Sequence, residues 1–422
     1  MMFGKPLSSY WQRVAVVFSG AALSQAIPIF GSLLIARLYV PAEFGLYAAW
    51  YGVSVVLNLF LTARLDAAFG LASDGRERGR LVAVTVLVVL GMACLLGLLT
   101  WLAVRLWPAG LFGVPATLTG WLAPMCLCAA LSIVWQAWAA NNGQIHALNV
   151  IRLVQAAAVT GLQIMAAWID PSARSLVVAQ VAGTAVAVCV AVGLLPVLAY
   201  LPGTWRELRA MWSDAWRNYW RFPLLAMPSD MINASAAQLP VIVLGARYGG
   251  DVAGCFALAS RTLGAPLAVL GGAVRDVFIR DAGLEMRTHG HCQQVYRRTF
   301  RILALLSFGL VLVTVPLAEP VFALVFGEPW RLAGMMAVWL VPLFALRFIA
   351  SPLSYTFFLA QKQQADLIWQ SVLLGMVIAV LYGFDSYRPT LIAYGVGYAG
   401  MYVVYLMLSR RYGGRPAAVA QV

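Results

Sequence analysis

Four arginines stand within or at the ends of long apolar segments, where a charged side chain is expensive. Arg347 lies near the middle of the otherwise uncharged run 334–358, and Arg64, Arg261 and Arg275 occupy comparable segments. An ionised arginine at the centre of a membrane helix costs roughly 2.5–3.5 kcal/mol on insertion scales, so it should face a cavity or a partner. A guanidinium donates two parallel hydrogen bonds to a phosphate and never deprotonates. These four arginines therefore predict a cationic substrate-binding cavity for a phosphate-bearing anion.

The alternative for each arginine is a structural ion pair with a neighbouring helix, or, for Arg64 and Arg275, a side chain that extends to the interface. Arg261 and Arg275 are fourteen residues apart on one predicted helix. They should lie about 40° apart on one face and roughly 21 Å apart in height, as a cationic stripe. Asp66 follows Arg64 by two residues, so on a helix the two side chains point away from each other and neither neutralises the other. Arg347 has no acidic residue three or four positions away.

Three carboxylates are candidates for ion coupling: Asp66, Asp230 and Glu319. Glu319 precedes Pro320 near the outer end of a predicted span, where an interfacial carboxylate is the alternative. His289 and His291 have no further ligands nearby, so we expect a solvated loop rather than a metal site. We expect no catalytic residue and no cofactor.

The segments that carry these residues are those of an all-α polytopic membrane protein. Of the 422 residues 62% are hydrophobic and 11% are charged, whereas soluble domains carry about 25% charged residues. Residues 81–104 contain no charge at all, and about 20 apolar helical residues cross a membrane. Hydropathy predicts twelve spans, near 14–36, 45–65, 81–104, 119–140, 148–169, 175–199, 222–246, 254–280, 301–325, 334–358, 367–384 and 389–409.

The placement of Lys and Arg predicts the orientation of these spans. With the N-terminus inside, twenty basic residues fall in inner segments and six in outer segments. Inner loops carry the excess of basic residues in membrane proteins, so both termini should be cytosolic. The net charge of +13 is then explained by an anionic inner leaflet of the lipid bilayer, and no nucleic-acid partner is expected.

Short motifs recur at nearly one offset and predict an internal repeat. "YW" stands at 10–11 and 219–220, and "AR" ends a span at 36–37 and 246–247. "GLYA" and "GCFA" follow, and "FGVPATLTG" at 112–120 matches "FGEPWRLAG" at 326–334. Six spans per half is an even number, so the halves should be parallel and related by an axis along the membrane normal. Chance similarity between interfacial turns is the alternative.

The repeat predicts two parallel six-helix lobes around a central cavity. The N-terminal lobe comprises residues 1–200, the C-terminal lobe residues 222–409, and the cytosolic tail residues 410–422. Between the lobes, residues 201–221 read as a cytosolic amphipathic helix on the inner interface, beginning with a Thr204-x-x-Glu207 capping box. A regulatory or partner-docking helix is the alternative for this linker.

Several stretches resemble the Wzx-type flippases of lipid-linked oligosaccharides. In the first half these are "GAALSQAIPIFGSLLIARLYVPAEFGLYA" and "ARLDAAFGLA", and in the second half "FPLLAMPSDMINASAAQLPVIVL", "VFGEPWRLAG" and "RFIASPLS". The resemblance implies the multidrug/oligosaccharidyl-lipid/polysaccharide exporter fold. It also implies transport of an undecaprenyl-pyrophosphate-linked repeat unit to the outer leaflet of the bacterial inner membrane, for O-antigen or capsule assembly. Asp230 departs from the uncharged residue expected there. A polysaccharide polymerase and chain-length proteins are the expected protein partners.

Two other functions are less consistent with the residues. A drug exporter of the same fold would use carboxylates to bind cations, whereas the intramembrane charges of this chain are mainly arginines. A membrane polymerase or ligase needs an outer domain, yet the longest outer loop, 105–118, contains no His, Asp or Glu. Neither lysine of the chain stands in a Gly-Lys-Ser/Thr sequence, so no P-loop ATPase is encoded here. A non-enzymatic transporter is the expectation.

Overall fold

The structure, a computed structural model, describes residues 24–72, 75–108, 110, 113–200, 204–359 and 363–413. These residues are almost entirely helical. The helices are α1 (Ser24–Leu38), α2 (Pro41–Thr62), α3 (Gly75–Leu106), α4 (Ala116–Thr119), α5 (Leu122–Asn141), α6 (Ile145–Ala167), α7 (Ala173–Leu194), α8 (Trp205–Tyr219), α9 (Met227–Tyr248), α10 (Gly250–His289), α11 (Gln293–Phe326), α12 (Arg331–Leu353), α13 (Tyr355–Leu359), α14 (Gln363–Gly383) and α15 (Tyr387–Gly413).

Each predicted span corresponds to a helix of the described structure. Ten helical segments are long and apolar enough to cross a membrane. The other two spans are α1, described from Ser24 onward, and α9, which polar residues such as Asp230 and Gln238 make less hydrophobic. Residues 14–23 of the first span and residues 414–422 of the tail lie outside the described residues. The all-α, multi-pass fold is confirmed.

The described chain divides into two compact units after Asp251. In the first unit, α2 packs against α5, α7 and α9, while α6 and α7 form an antiparallel pair. Large side chains that are almost fully buried, Trp50, Trp135 and Phe69, fill its core. The predicted lobe limits at residues 200 and 222 stay predictions.

Polar contacts connect turns to helix ends at both ends of the first unit. At one end, the carboxylate of Glu43 accepts a hydrogen bond of 2.6 Å from the Ala173 N–H, at the first residue of α7. At the other end, the Arg78 guanidinium donates to the backbone oxygens of Phe69 and Asn141. A carboxylate is favourable at a helix N-terminus, where N–H groups have no helical partner. The charged residues of these turns therefore satisfy helix ends.

In the second unit, α12 packs between α11 and α15, and α14 packs on α15. The crossing of α11 and α12 is close at Gly334. A Cβ at this position would lie 2.6 Å from the Glu319 Cα and 2.7 Å from the Ala318 carbonyl oxygen. Only a residue without a side chain allows this approach, so Gly334 of the repeated motif is a packing residue.

The two copies of the Phe-Gly-x-Pro motif adopt similar local structure. Gly113 and Gly327 both have positive φ, of 74° and 108°. Each is followed by a short helical turn, at Ala116–Thr119 and Glu328–Trp330, and then by a long helix. This correspondence supports the repeat locally, whereas the Tyr10–Trp11 copy lies outside the described residues. The symmetry axis stays a prediction.

The adjoining ends of α10 and α11 extend beyond the predicted spans. The helix α10 extends to His289 and α11 begins at Gln293, beyond the predicted limits of 280 and 301. Residues 290–292 between them are not helical. The Glu285 carboxylate accepts hydrogen bonds from the Gln294 and Val295 N–H groups, at 3.0 and 2.9 Å. A carboxylate from the preceding helix thus caps α11 and stabilises its charged first turns.

The linker helix is present as α8. Thr204 is its N-cap and accepts a hydrogen bond from the Glu207 N–H at 3.3 Å. Its buried side chains, such as Met211 and Tyr219, pack toward α3, and the Tyr219 hydroxyl donates to Glu77. Trp212 and Trp216 are about half exposed, and their placement at headgroup level stays a prediction.

Candidate functional site

Arg347 lies in α12 and is exposed. The helix begins at Arg331, so Arg347 is the seventeenth of its 23 residues. It is six residues, about 9 Å, from the end of the helix at Leu353. The helix begins three residues before the predicted span 334–358 and ends five residues before the end of that span, and the position of Arg347 near the midplane stays a prediction. Arg347 forms no ion pair with any described carboxylate.

A row of tyrosines on α15 faces this arginine. Tyr394, Tyr398 and Tyr402 recur every four residues, and their ring centroids are 5.3 and 5.5 Å apart along the row. The Arg347 guanidinium acts electrostatically on all three hydroxyls. These tyrosines are not among the residues predicted for the site, although the spacing in "YGVGYAGMY" places them on one helix face. The site thus combines a cation with an aromatic, hydroxyl-bearing wall.

Arg64 lies at a sharp turn where α2 ends. Ala63 and Arg64 both adopt left-handed backbone angles, with φ of 48° and 57°. A short 3₁₀ turn, Leu65–Gly70, follows. Left-handed angles are uncommon in residues other than glycine, and here they separate the end of α2 from the following 3₁₀ turn.

This turn brings two carboxylates to the Arg64 guanidinium. Its Nε lies 2.6 Å from Asp230 Oδ2, on α9, and its Nη1 lies 3.6 Å from Asp66 Oδ2. The expectation that Arg64 and Asp66 point apart is wrong, because α2 ends before Arg64 and does not continue to Asp66. Asp230, which looked out of place in its span, is the closer partner of Arg64.

Asp66 is the more buried of the two carboxylates. Its side chain is 10% exposed, against 38% for Asp230. The Asp66 Oδ1 atom is buried and has no hydrogen-bond partner among the described residues. Burial raises the pKa of Asp66, while the Arg64 charge lowers it by a smaller amount. The group of Arg64, Asp66 and Asp230 therefore has one positive and two potential negative charges.

The remaining predicted residues lie in the second unit. Arg261 and Arg275 both lie on the continuous helix α10, Arg261 half-buried and Arg275 exposed. Their role in a cavity stays a prediction. Glu319 pairs with Arg331 at 3.3 Å, and Arg331 also contacts Glu328 at 2.9 Å, all three side chains being well exposed. This position is consistent with an interfacial carboxylate, and ion coupling by Glu319 stays a prediction.

Buried glutamines between helices of the first unit are a second feature that sequence reasoning missed. The Tyr47 hydroxyl donates to Gln180 Oε1 at 2.8 Å, and Gln163 Nε2 donates to Tyr47 at 3.1 Å. A similar group on α5 and α6 joins Gln136 to Gln155, at 3.2 Å, and to Arg152. Such bonds satisfy polar groups inside the bundle. In the sequence, these contacts could have been suspected from the isolated glutamines within otherwise apolar helices.

Within the part of the chain that the structure describes, no group of three or more His, Cys, Asp or Glu side chains has the arrangement of a metal site. His291 lies 3.6 Å from Glu285, and the side chain of His289 is outside the described part.

Comparison with known proteins identifies the family and the fold. Residues 34–334 match the family described as "Polysaccharide biosynthesis protein". No curated protein sequence matches the chain significantly.

Solved structures share the fold at low sequence identity. A lipid II flippase, MurJ, in an inward closed conformation, aligns with a TM-score of 0.71 at 13% identity, covering 94% of this chain and 87% of that one. An inward-facing multidrug resistance MATE family transporter of the MOP superfamily aligns with a TM-score of 0.61 at 13% identity, covering 97% of this chain and 99% of that one. A MOP superfamily transporter from Pyrococcus furiosus aligns with a TM-score of 0.60 at 13% identity, covering 94% of this chain and 95% of that one.

These likenesses extend over nearly the whole chain and show the fold alone, while the family match covers well over half of the sequence. The resemblance to flippases of the exporter superfamily is thereby confirmed at the level of family and fold. The chain belongs to the Polysaccharide biosynthesis protein family and has the fold of the MOP superfamily transporters.

Proposed function

We propose that this protein is a flippase that moves a phosphate-bearing, lipid-linked saccharide across the membrane, with Arg347 as its phosphate contact. The observation that carries the proposal is the environment of Arg347. A cation inside a membrane helix has no carboxylate partner among the described residues and faces three tyrosines. An unpaired arginine at such a position is expected to serve an anionic ligand.

The physical need for such a protein lies in the headgroup. Sugar hydroxyls and phosphates cannot enter hydrocarbon without partners, because each unsatisfied polar group costs several kcal/mol. A water-filled cavity with a fixed cation replaces part of the hydration of the phosphate. The lipid tail meanwhile stays in the bilayer. Two lobes around a central cavity, which the repeat predicts, would provide that path.

The tyrosine row suits the saccharide part of such a ligand. Tyr394 and Tyr398 are buried, whereas Tyr402 is partly exposed and is the member of the row that a ligand can reach. A tyrosine offers an apolar face together with a hydroxyl that donates and accepts. Sugars have apolar C–H faces and hydroxyl edges. A phosphate on Arg347 would therefore place the first sugar against a matching surface.

The detailed cargo that we propose is an undecaprenyl-pyrophosphate-linked oligosaccharide repeat unit. It would move from the cytosolic to the outer leaflet of the bacterial inner membrane, for O-antigen or another polysaccharide, with both protein termini in the cytosol. The family description and the motif resemblance support this cargo. Arg261 and Arg275 would add positive charge along the path, and a polymerase and chain-length proteins would receive the product.

We propose ion coupling for the Arg64 group instead of direct cargo binding. With both carboxylates ionised, the group has a net charge of −1, which disfavours a pyrophosphate. A raised pKa equips Asp66 to take up a proton, and uptake would leave the ion pair of Arg64 with Asp230. Glu319 is already engaged by an exposed arginine and is the weaker candidate for coupling.

The proposed function is tested by deleting the gene and measuring lipid-linked saccharides on each face of the inner membrane. The expected result is accumulation on the cytosolic leaflet and loss of surface glycan, both restored by the wild-type gene. Unchanged glycan together with increased sensitivity to cationic drugs would instead identify a drug exporter and overturn the proposal.

A further inference from the structure

A cavity of about 660 Å³ lies at the inner end of the second unit, between α11, α12 and α15. Arg297 and Arg301 of α11 and Arg410 of α15 line it, together with apolar side chains such as Phe300, Leu346 and Met407. None of the three arginines forms an ion pair with a described carboxylate. The cavity is therefore positively charged at its rim and apolar on its walls.

The cavity is separate from the proposed cargo contact. Leu346 lines it, whereas the next residue, Arg347, faces the tyrosine row. Successive helical residues point about 100° apart. On α15, Tyr398 and Arg410 are likewise about 120° apart. Arg347 and the cavity-lining Leu346 thus lie on different faces of α12, and Tyr398 and the cavity-lining Arg410 lie on different faces of α15.

An exposed apolar surface continues the cavity away from the arginines. On α11, Leu305, Phe308 and Leu312 are on the same face as Arg301 and are 72%, 66% and 63% exposed. On α15, Met407 and Val396 share the face of Arg410 and are 65% and 63% exposed. The cavity and this surface together therefore present cations at the predicted cytosolic end and exposed apolar side chains farther into the membrane.

We propose that this cavity binds an anionic glycerophospholipid of the inner leaflet, with its phosphodiester on Arg297, Arg301 and Arg410 and an acyl chain along α11. Basic pockets between membrane helices on the cytosolic side suit anionic lipid headgroups. Arg301 follows Arg297 by one helical turn, so both guanidinium groups reach one phosphate. The apolar walls distinguish this ligand from free phosphate, which gains nothing from them.

The purified full-length chain in a neutral detergent provides the test, with lipid binding measured by native mass spectrometry. The probes are dioleoyl phosphatidylglycerol, dioleoyl phosphatidylcholine, farnesyl pyrophosphate and inorganic phosphate. We expect phosphatidylglycerol to bind at least tenfold more tightly than phosphatidylcholine and to resist millimolar phosphate. Equal binding of the two phospholipids, or displacement by phosphate, would overturn the proposal. Tighter binding of farnesyl pyrophosphate would assign the cavity to the cargo instead and overturn it too.

Matched variants locate the site. Arg301→Gln should weaken phosphatidylglycerol binding about fivefold, the equivalent of about 1 kcal/mol per basic residue near an anionic headgroup. Arg298→Gln removes a neighbouring exposed arginine that does not line the cavity and should change binding by less than twofold. Met407→Trp keeps every arginine but fills the cavity, and should also weaken binding. Equal effects of the two arginine variants, or normal binding in Met407→Trp, would show that the lipid binds elsewhere.

Discussion

Single residues of the first unit show how a charge inside a helical membrane protein finds a partner. Arg64 reaches Asp230, 166 positions away in sequence, because a left-handed turn ends α2 at that point. Asp66 reaches the same guanidinium from the following 3₁₀ turn. The ion pair of Arg64 with Asp230 therefore joins the end of α2 to α9, and each of the two charges is compensated by the other.

A double-mutant cycle tests this pair. Arg64→Ala and Asp230→Ala should each lower the melting temperature of the purified protein, and the double variant should lower it by less than the sum. Since the side chains are 30% and 38% exposed, screening limits the coupling free energy to about 1 kcal/mol. Glu319→Ala, in an exposed ion pair, serves as the control with a smaller effect. Additive losses would show that Arg64 and Asp230 do not interact.

At the scale of helices, hydropathy could predict the elements because it depends only on local composition. It could not predict how each element ends. Glu285 extends α11 beyond its apolar part by capping it from the preceding helix, and a sequence window contains no such tertiary contact. The break at Arg64 is similar, since nothing in "TARLDA" marks left-handed angles as glycine would.

The close approach of α11 and α12 at Gly334 can be tested by substitution. Gly334→Ala should destabilise the protein by about 1–3 kcal/mol, because the new methyl group would overlap the backbone of α11. Gly309→Ala is the matched control, since a Cβ there meets nothing within 4 Å and alanine favours the helix. Thermal unfolding of both variants measures the difference. A Gly334→Ala protein as stable as Gly309→Ala would contradict the close approach.

For the whole molecule, the twenty-to-six distribution of basic residues predicts which turns face the cytosol. Ser213, on the exposed face of α8, should be inside, and Ile169, 87% exposed after α6, should be outside. In a cysteine-free background, Ile169→Cys should react with an impermeant maleimide in spheroplasts, whereas Ser213→Cys should react only after permeabilisation. Labelling of position 213 in intact spheroplasts would reverse the orientation.

The candidate site could be predicted only in part. Arg347 was identifiable because one charge in an apolar run is visible in the sequence, while its surroundings depend on which helix packs against α12. Its tyrosine neighbours lie about fifty positions away on α15. The sequence motifs predicted the family, since their order along the chain needs no tertiary information.

The proposed binding of the cargo phosphate by Arg347 can be decided by measuring export per protein molecule. Surface glycan divided by the amount of folded, inserted protein is determined for Arg347→Ala, Arg347→Lys and the control Arg331→Ala. Because Arg347 has no described carboxylate partner, Arg347→Ala should keep its protein level yet lose nearly all export per molecule. Arg347→Lys should keep part of the export per molecule, since the lysine ammonium still attracts phosphate but cannot donate two parallel hydrogen bonds to it. Arg331→Ala should export normally per molecule. Normal export per molecule in Arg347→Ala would show that Arg347 does not bind the cargo phosphate.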